Sequence, residues 1–157
     1  MEQRLDVHAA APDLVAALRG LSARLHDGRL PARLVHLVEL RVSQLNGCHY
    51  CIALHARELR RAGGSEELIE AVADWPDSNL FEAGERAALE WAEVLTRPRS
   101  GLELDRAQET LEASFDAEAM ARLTMAVAAI NAWNRIGIAA YREPEPEPEA
   151  ARMGKGA

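Results

Sequence analysis

Residues 46–55 read Asn46-Gly47-Cys48-His49-Tyr50-Cys51-Ile52-Ala53-Leu54-His55. The pair Asn46-Gly47 tolerates the left-handed backbone that ends helices, so the stretch predicts a helix that ends just before Cys48. A new helix over about 48–62 then places Cys48, Cys51 and His55 on one face, at steps of three and four residues. We therefore predict two consecutive helices, with a C-x-x-C pair at the start of the second and an imidazole one turn further on.

Helical signals continue on both sides of this stretch. Leucines recur at helical spacing, and Pro, Ser or Asp stands where several helices would begin. The predicted helices span roughly 12–27, 31–47, 48–62, 65–73, 82–96, a short segment from Asp105, and Asp116 to about Tyr141. The 30 alanines and 20 leucines far outnumber the 16 Val, Ile and Thr residues together, which favours helix over sheet. We expect an all-α fold of about six to seven helices.

The chain is expected to form one domain with a tail. Its 157 residues are the length of an ordinary single domain, and we assign residues 1–142 to one all-helical domain. Residues 143–157 begin with repeated Glu-Pro pairs and lack large apolar anchors. This composition predicts a disordered tail.

The charge and hydropathy of the chain exclude several classes of partner. A formal net charge of −7 argues against nucleic acid and anionic membranes, because both require a basic protein surface. The longest apolar run, Met125 to Ile130, is far shorter than the ~20 residues that a membrane span needs. The first 25 residues carry acidic side chains and no export signal. We expect a soluble, cytoplasmic protein.

The two cysteines are the main candidates for chemistry. A thiol reacts as a thiolate, and a helix N-terminus, a C-x-x-C partner and a nearby imidazolium each lower its pKa. Cys48 would lie at the more exposed helix start, whereas Cys51 lies four residues before His55 and can reach its ring across one turn. The pair can also close a disulfide. This predicts a cycle in which one thiolate attacks an oxidant, the other resolves the product, and an external reductant resets the pair.

Three other interpretations of the pair remain open. The cysteines could be small buried hydrophobic residues. Together with His55 they could supply three ligands of a tetrahedral zinc site, with His36 or His49 as the fourth. A thioredoxin-like site would need strands on both sides of the motif, where the periodicity predicts helices.

The remaining histidines and tryptophans are expected to have structural roles. His8 and His26 lie at or near predicted helix ends, and we interpret both as solvated surface residues. The tryptophans are interpreted as core or interface anchors, namely Trp75, Trp91 and Trp133.

The last predicted helix suggests an oligomer. It presents Ile130 and Trp133 beside Asn131 and Asn134. A mixed apolar and amide surface of this kind suits a subunit contact with a hydrogen-bonded rim. We therefore expect self-association through this helix.

Three segments of the chain resemble a known family. Residues 39–55, which contain the C-x-x-C pair and His55, look like the core motif of the AhpD-like branch of the carboxymuconolactone decarboxylase superfamily. Two further segments resemble family segments in the same order, namely Glu85-Arg-Ala-Ala-Leu-Glu-Trp-Ala-Glu-Val-Leu-Thr96 and Ile130-Asn-Ala-Trp-Asn-Arg135. The resemblance covers roughly residues 30–140.

This resemblance implies an AhpD-like all-α fold with the C-x-x-C pair at a helix start in a cleft. It implies peroxidase activity towards organic hydroperoxides or hydrogen peroxide in antioxidant defence, with a cellular dithiol of lipoyl or thioredoxin type as reductant. It also implies assembly into homotrimers or homohexamers, and no haem, flavin or metal. Decarboxylases of the superfamily generally lack the cysteine pair, so its presence favours thiol redox chemistry.

The resemblance also assigns roles to the motif. By analogy with the family, Cys51 attacks the peroxide, Cys48 resolves the product and His55 belongs to a proton relay. The family's relay glutamate stands twelve residues before the first cysteine, where this chain has His36, and Glu39 stands one turn later.

Because His36 and Glu39 share a helix face, we expect them to replace that glutamate jointly, in the order Cys51, His55, His36, Glu39. The candidate catalytic residues are thus Cys51, Cys48, His55, His36 and Glu39. The alternatives are a non-catalytic redox-sensing or zinc-binding module, and a decarboxylase-like enzyme of the superfamily.

Overall fold

The computed structural model describes residues 2–97 and 100–141 of the chain. Within these ranges the fold is all-α, as the sequence predicts, with no strand beyond an isolated bridge between Gln3 and Tyr141. No helix in the described ranges is both long and apolar enough to cross a bilayer. The tail predicted over 143–157 lies outside the described residues.

Eight α-helices and one 3₁₀ segment make up the described part of the chain. They are α1 Val7–Ala10, α2 Pro12–Leu25, α3 Ala32–Asn46, α4 His49–Arg61, α5 Glu66–Ala71, the 3₁₀ segment Val72–Asp77, α6 Ala83–Thr96, α7 Gly101–Glu112 and α8 Ala117–Ala140.

Local signals account for most of the helix ends. Gly47 adopts φ 68°, the left-handed backbone that ends α3, and Cys48 is the N-cap of α4. The hydroxyl of Ser65 accepts a hydrogen bond from the N–H of Leu68 and caps α5. The Asn46-Gly47 and Ser65 signals are therefore read correctly from the sequence.

Two helix starts differ from the prediction. α7 begins at Gly101 and not at Asp105, because Ser100 and Glu103 form a reciprocal capping box that satisfies the first backbone N–H groups. The four-residue α1 was not predicted. Its N-cap Asp6 accepts a hydrogen bond from the N–H of Ala9.

The helix α3 lies at the centre of the fold and packs against α4, α6 and α8. Eight of its fifteen residues are buried, including the polar side chains of Glu39 and Ser43. On one side α3 contributes to an apolar core with α6, α7 and α8, and on the other to a second core with α4, α5 and the 3₁₀ segment. A helix covered on most sides holds its buried polar residues in fixed positions, and one of them, Glu39, is part of the candidate functional site.

A network of amides fixes α8 on the end of α3. Asn134 is fully buried and donates to the hydroxyl of Ser43 at 3.0 Å. The amide of Asn46 donates to the oxygens of Asn134 and Asn131, each at 2.9 Å. These bonds satisfy polar groups that burial would otherwise leave unpaired.

The same network corrects the subunit surface expected from the sequence. Ile130 is 2% exposed, and Asn131 and Asn134 bond within the chain, so these residues serve intrachain packing. Trp75 and Trp91 are anchors, as expected: Trp75 donates its indole N–H to Glu93 and Trp91 to Thr124. Trp133 donates to Ser22 but is only partly buried.

Removing the Asn134 amide should destabilise the fold. Asn134→Ala removes one hydrogen bond each from Ser43 and Asn46 in a buried network, which predicts a loss of about 1–3 kcal/mol in the free energy of unfolding. Urea denaturation measures this loss, and Asn79→Ala, at an exposed position, is the matched control and should stay within about 0.5 kcal/mol of wild type. Equal losses in the two variants would show that the network adds nothing to the packing of α8 on α3.

Candidate functional site

The two cysteines form a disulfide at the start of α4. Their Cα atoms are 5.3 Å apart, and Cys51 lies in the first turn of the helix that Cys48 caps. Both are buried, with Cys48 2% and Cys51 4% exposed. Cys48 was expected to be the more exposed of the two, and that expectation is wrong because α8 covers the pair. In this oxidised form neither sulfur is a thiolate that could bind zinc.

Gly137 is the residue of α8 that allows this close approach. A Cβ atom at this position would lie 2.9 Å from Sγ of Cys48 and 3.3 Å from Sγ of Cys51. Any side chain would therefore collide with the sulfurs unless helix or disulfide moved. Nothing in the sequence marked this glycine, because only the crossing of α8 over α4 gives it a role.

A cavity of about 380 Å³ opens beside the disulfide. Cys51 lines this cavity and Cys48 does not. His55 and Glu39 form part of the same wall, whereas Trp133 and Ile136 of α8 supply apolar surface. The two sulfurs therefore differ in access: Cys51 faces the cavity and Cys48 lies behind it.

Aromatic rings border part of the cavity. Tyr50 stacks on Tyr141 with ring centroids 5.4 Å apart, and both line the cavity. His8 lies at the rim, exposed as expected, with its Nδ1 3.1 Å from a guanidinium nitrogen of Arg19. The accessible surface of the cavity is thus mainly apolar, although polar side chains such as Arg19 and Glu39 also line it.

Glu39 lies at the centre of a cluster of three histidines. Its Oε2 atom is 2.9 Å from Nδ1 of His36 and 3.2 Å from Nδ1 of His55. Its Oε1 atom is 2.9 Å from Nε2 of His26. The contact with His55 is close enough for strong electrostatic attraction, but it does not align as a hydrogen bond.

The positions of these groups change the order expected for the relay. His36 and Glu39 do share a face of α3, as predicted, and that face packs on α4. However, Glu39 stands between His36 and His55, whose ring centroids are 6.4 Å apart. The structure therefore connects His55 to Glu39 first, and His36 contacts Glu39 from the other side.

His26 is the residue of the cluster that the sequence interpretation missed. It is the C-cap of α2 and its side chain is 30% exposed, as a helix end should be. Its ring nevertheless bonds Glu39 and stacks on His36 with centroids 4.9 Å apart. Treating His26 as a merely solvated residue was wrong, because the chain between α2 and α3 folds the end of α2 back over Glu39.

The cluster fixes the charge of Glu39. Burial alone would raise the pKa of this carboxyl, but the contacts with His26, His36 and His55 outweigh burial and hold its pKa well below the usual range. In return, the hydrogen bond to Glu39 raises the pKa of His26 against the opposing effect of burial. Glu39 is therefore an ionised carboxylate at neutral pH, beside the imidazole that shares a cavity with Cys51.

Comparison with known proteins shows the family to which the chain belongs. The model of the Carboxymuconolactone decarboxylase family matches residues 10–94, more than half of the chain. The uncharacterized protein YdfG of Bacillus subtilis is 30% identical over 139 residues, which span 88% of this chain and 95% of YdfG.

Solved structures show the same fold. A protein of Agrobacterium tumefaciens, described as of unknown function and as a candidate antioxidant defence protein AhpD, superimposes with a TM-score of 0.84 at 34% identity. The match covers 94% of this chain and 100% of that protein. The debrominase Bmp8 shares the fold with a TM-score of 0.73 at 21% identity, over 86% of this chain and 74% of Bmp8. The chain is therefore an AhpD-like member of the carboxymuconolactone decarboxylase superfamily, as the resemblance of its sequence motifs indicated.

Proposed function

We propose that this protein is a thiol-dependent peroxidase that reduces organic hydroperoxides or hydrogen peroxide through Cys48 and Cys51. The observation that carries the proposal is the difference between the two sulfurs. Cys51 lines a cavity that it shares with His55 and the ionised Glu39, whereas Cys48 is bonded to it from behind. A peroxidatic thiol needs access to substrate and a base, and a resolving thiol needs only to reach the first sulfur.

The proposed cycle begins with the reduced pair. The Cys51 thiolate attacks the distal peroxide oxygen, the O–O bond breaks, and the alcohol or water leaves with a proton. Cys51 is thereby oxidised to a sulfenic acid, which the Cys48 sulfur attacks with release of water to form the disulfide. A cellular dithiol of lipoyl or thioredoxin type then supplies two electrons and two protons by thiol–disulfide exchange.

His55 is proposed to act as the base that takes the thiol proton of Cys51. The two residues lie four apart on α4 and line the same cavity. The negative charge of Glu39 beside Nδ1 of His55 favours a proton on that nitrogen, which leaves Nε2 free to accept one. His36 and His26 then act as positioning residues that hold the carboxylate of Glu39.

The walls of the cavity favour an organic hydroperoxide. Apolar and aromatic side chains line much of it, including Trp133, Ile136 and Tyr50. Burying an organic group against this surface contributes favourably to binding, and hydrogen peroxide has no organic group to bury. A volume of about 380 Å³ leaves room for a small organic substituent.

Two other functions would use parts of the same site. A redox sensor would form the same disulfide but would not turn over with a reductant. A decarboxylation of the kind that gives the superfamily its name would not require the cysteines to cycle through a disulfide, whereas replacing bromine by hydrogen, the kind of reaction named for Bmp8, is a two-electron reduction for which a thiol pair is a suitable donor. The fold alone does not separate these functions, so repeated thiol turnover with peroxide as the oxidant is the discriminating property.

We also propose that the protein assembles into homotrimers or homohexamers. Large apolar side chains are exposed on α7 and α8, with Leu102 72% and Met125 44% exposed. Light scattering at micromolar concentration should give a mass of three or six chains. A monomer mass alone would contradict the assembly.

The two cysteines should respond differently to substitution. Cys48→Ser keeps the attacking thiol but removes the resolving one, so peroxide should leave a sulfenic acid on Cys51 that a sulfenic-acid trap labels. Cys51→Ser should abolish rapid peroxide reactivity. Mass spectrometry after treatment with peroxide and the trap measures both outcomes. If Cys48 is labelled in Cys51→Ser but Cys51 is not labelled in Cys48→Ser, the two roles are reversed.

Substitutions in the relay should lower the rate in a graded manner. His55→Ala should reduce the peroxide rate by about 10²-fold or more, because it removes a general base. Glu39→Gln should also reduce it, and His36→Ala should have a smaller effect because His36 acts through Glu39. Glu70→Gln, at an exposed position of α5, is the matched control and should keep the wild-type rate. If Glu39→Gln and His36→Ala both keep the wild-type rate and helicity, the cluster around Glu39 has no role in the mechanism.

The charge of Glu39 also predicts how stability depends on pH. Because the pKa of Glu39 is lowered, its ionised form stabilises the fold above pH 4.5, the ordinary pKa of a glutamate. This contribution is lost as the pH falls through the lower pKa of the folded state. The raised pKa of His26 has the opposite effect on stability. Its contribution is complete below pH 6.5 and is lost as the pH rises through the raised pKa of the folded state. The stability gap between wild type and Glu39→Gln, measured by urea denaturation, should thus be large between about pH 5 and 6.5 and shrink under more acidic conditions. A gap that does not change with pH would show that Glu39 is not held ionised.

A further inference from the structure

Four donor atoms from α3 and α4 face one another next to the cavity. They are Nδ1 of His36, Oε2 of Glu39, Nδ1 of His55 and Oε2 of Glu58, and all lie within 4.8 Å of one another. Nδ1 of His36 is 2.9 Å from Glu39 and 3.7 Å from Glu58. Nδ1 of His55 is 3.2 Å from Glu39 and 3.6 Å from Glu58. Each imidazole nitrogen is thus flanked by both carboxylates.

These spacings match the edges of a tetrahedral metal site. Zinc binds nitrogen and oxygen at about 2.0–2.1 Å, so the ligand atoms of a regular tetrahedron are roughly 3.3–3.4 Å apart. The four nitrogen–oxygen distances run from 2.9 to 3.7 Å and therefore lie on both sides of that value. The nitrogen–nitrogen and oxygen–oxygen edges are at most 4.8 Å, and an ion at the centre would draw the four donors together.

His55 provides a second, independent indication of a ligand. The residue is 8% exposed, and its Nδ1 is a buried nitrogen without a hydrogen-bond partner among the residues that the structure describes. The nitrogen is nevertheless aimed into the cluster, 3.2 Å from Glu39 and 3.6 Å from Glu58. A buried polar atom usually has a partner, and a cation at the centre of the four donors would supply one.

We propose that His36, Glu39, His55 and Glu58 form a binding site for a divalent transition-metal ion, with Zn²⁺ as the best-fitting member of that class. Two imidazole nitrogens favour zinc and its neighbours over calcium or magnesium, which take oxygen ligands. The hydrogen bond from His26 to Oε1 of Glu39 orients this carboxylate and leaves Oε2 directed at the other donors.

The ion would reach the site without passing the cysteines. A groove on the outer side of the cluster is lined by His26, His36, Glu58 and Arg61. The side chain of Glu58 is 32% exposed, so this edge of the site is open to solvent. The donor set also differs from the cysteine-based zinc site considered from the sequence, because it contains no sulfur.

An ion bound here would inhibit the proposed peroxidase. It would occupy Oε2 of Glu39 and Nδ1 of His55, the two atoms whose interaction orients the base. This consequence rests on the proposed function, whereas binding of the ion does not. Zinc would therefore act as a reversible inhibitor that leaves both cysteines unmodified.

The test is a metal titration of the protein in its disulfide form, with Co²⁺ as the spectroscopic probe. The disulfide removes thiolate ligands, so wild type should bind one Co²⁺ per chain, with the visible absorption of a tetrahedral nitrogen–oxygen site and no thiolate charge-transfer band. Zn²⁺ should displace the Co²⁺. Glu58→Gln should weaken Zn²⁺ binding by about tenfold or more, and the control Glu70→Gln should not change it.

Glu58 is the informative ligand because the proposed relay does not include it. Because Glu58 also lies 3.6 Å from Nδ1 of His55, inhibition is measured for each protein relative to its own metal-free peroxide rate, and Zn²⁺ should inhibit wild type at far lower concentration than Glu58→Gln. The site is refuted if the disulfide form does not bind Co²⁺ stoichiometrically, or if Glu58→Gln binds as tightly as wild type. If neither protein reacts with peroxide, the titration still decides the metal site, and only the peroxidase proposal fails.

Discussion

Glu39 places an ionised carboxylate inside α3, and the arrangement of the site depends on how that buried charge is compensated. A buried carboxylate without partners is strongly unfavourable, so partners must come from the surrounding helices. His26 comes from the end of α2, His36 from α3 itself and His55 from α4. One charge therefore connects three helices and brings the base to the wall of the cavity that Cys51 also lines.

The helix α8 supplies the second half of the site. Asn134 fixes it on the end of α3 through Ser43 and Asn46, and Gly137, one turn later, lies against both sulfurs. The hydrogen bonds of Asn134 thus fix where α8 lies on the end of α3. Because Gly137 has no side chain, α8 can pack directly over the disulfide. With α8 packed over the pair, the two cysteines differ in access: Cys48 does not line the cavity, whereas Cys51 does.

The features that were predicted from the sequence depend on neighbours along the chain. Asn46-Gly47 ends a helix, and the spacing from Cys48 to His55 sets one helix face, wherever the helices pack. The capping box of Ser100 and Glu103 was a local signal too, and the start of α7 could have been read from it. His26 and Gly137 could not be found in this way, because each acquires its role only when distant helices meet. The same holds for Glu39, whose place between His36 and His55 follows from the packing of α3 on α4.

The disulfide of Cys48 and Cys51 is proposed to have a catalytic and not merely a structural role. The most direct measurement is peroxide consumption by the wild-type protein with an excess of a dithiol reductant, corrected for the reaction of reductant alone. We expect each chain to consume many equivalents of peroxide, with the disulfide forming and disappearing in each cycle. Consumption that stops at one equivalent per chain, with the disulfide already formed, would contradict it.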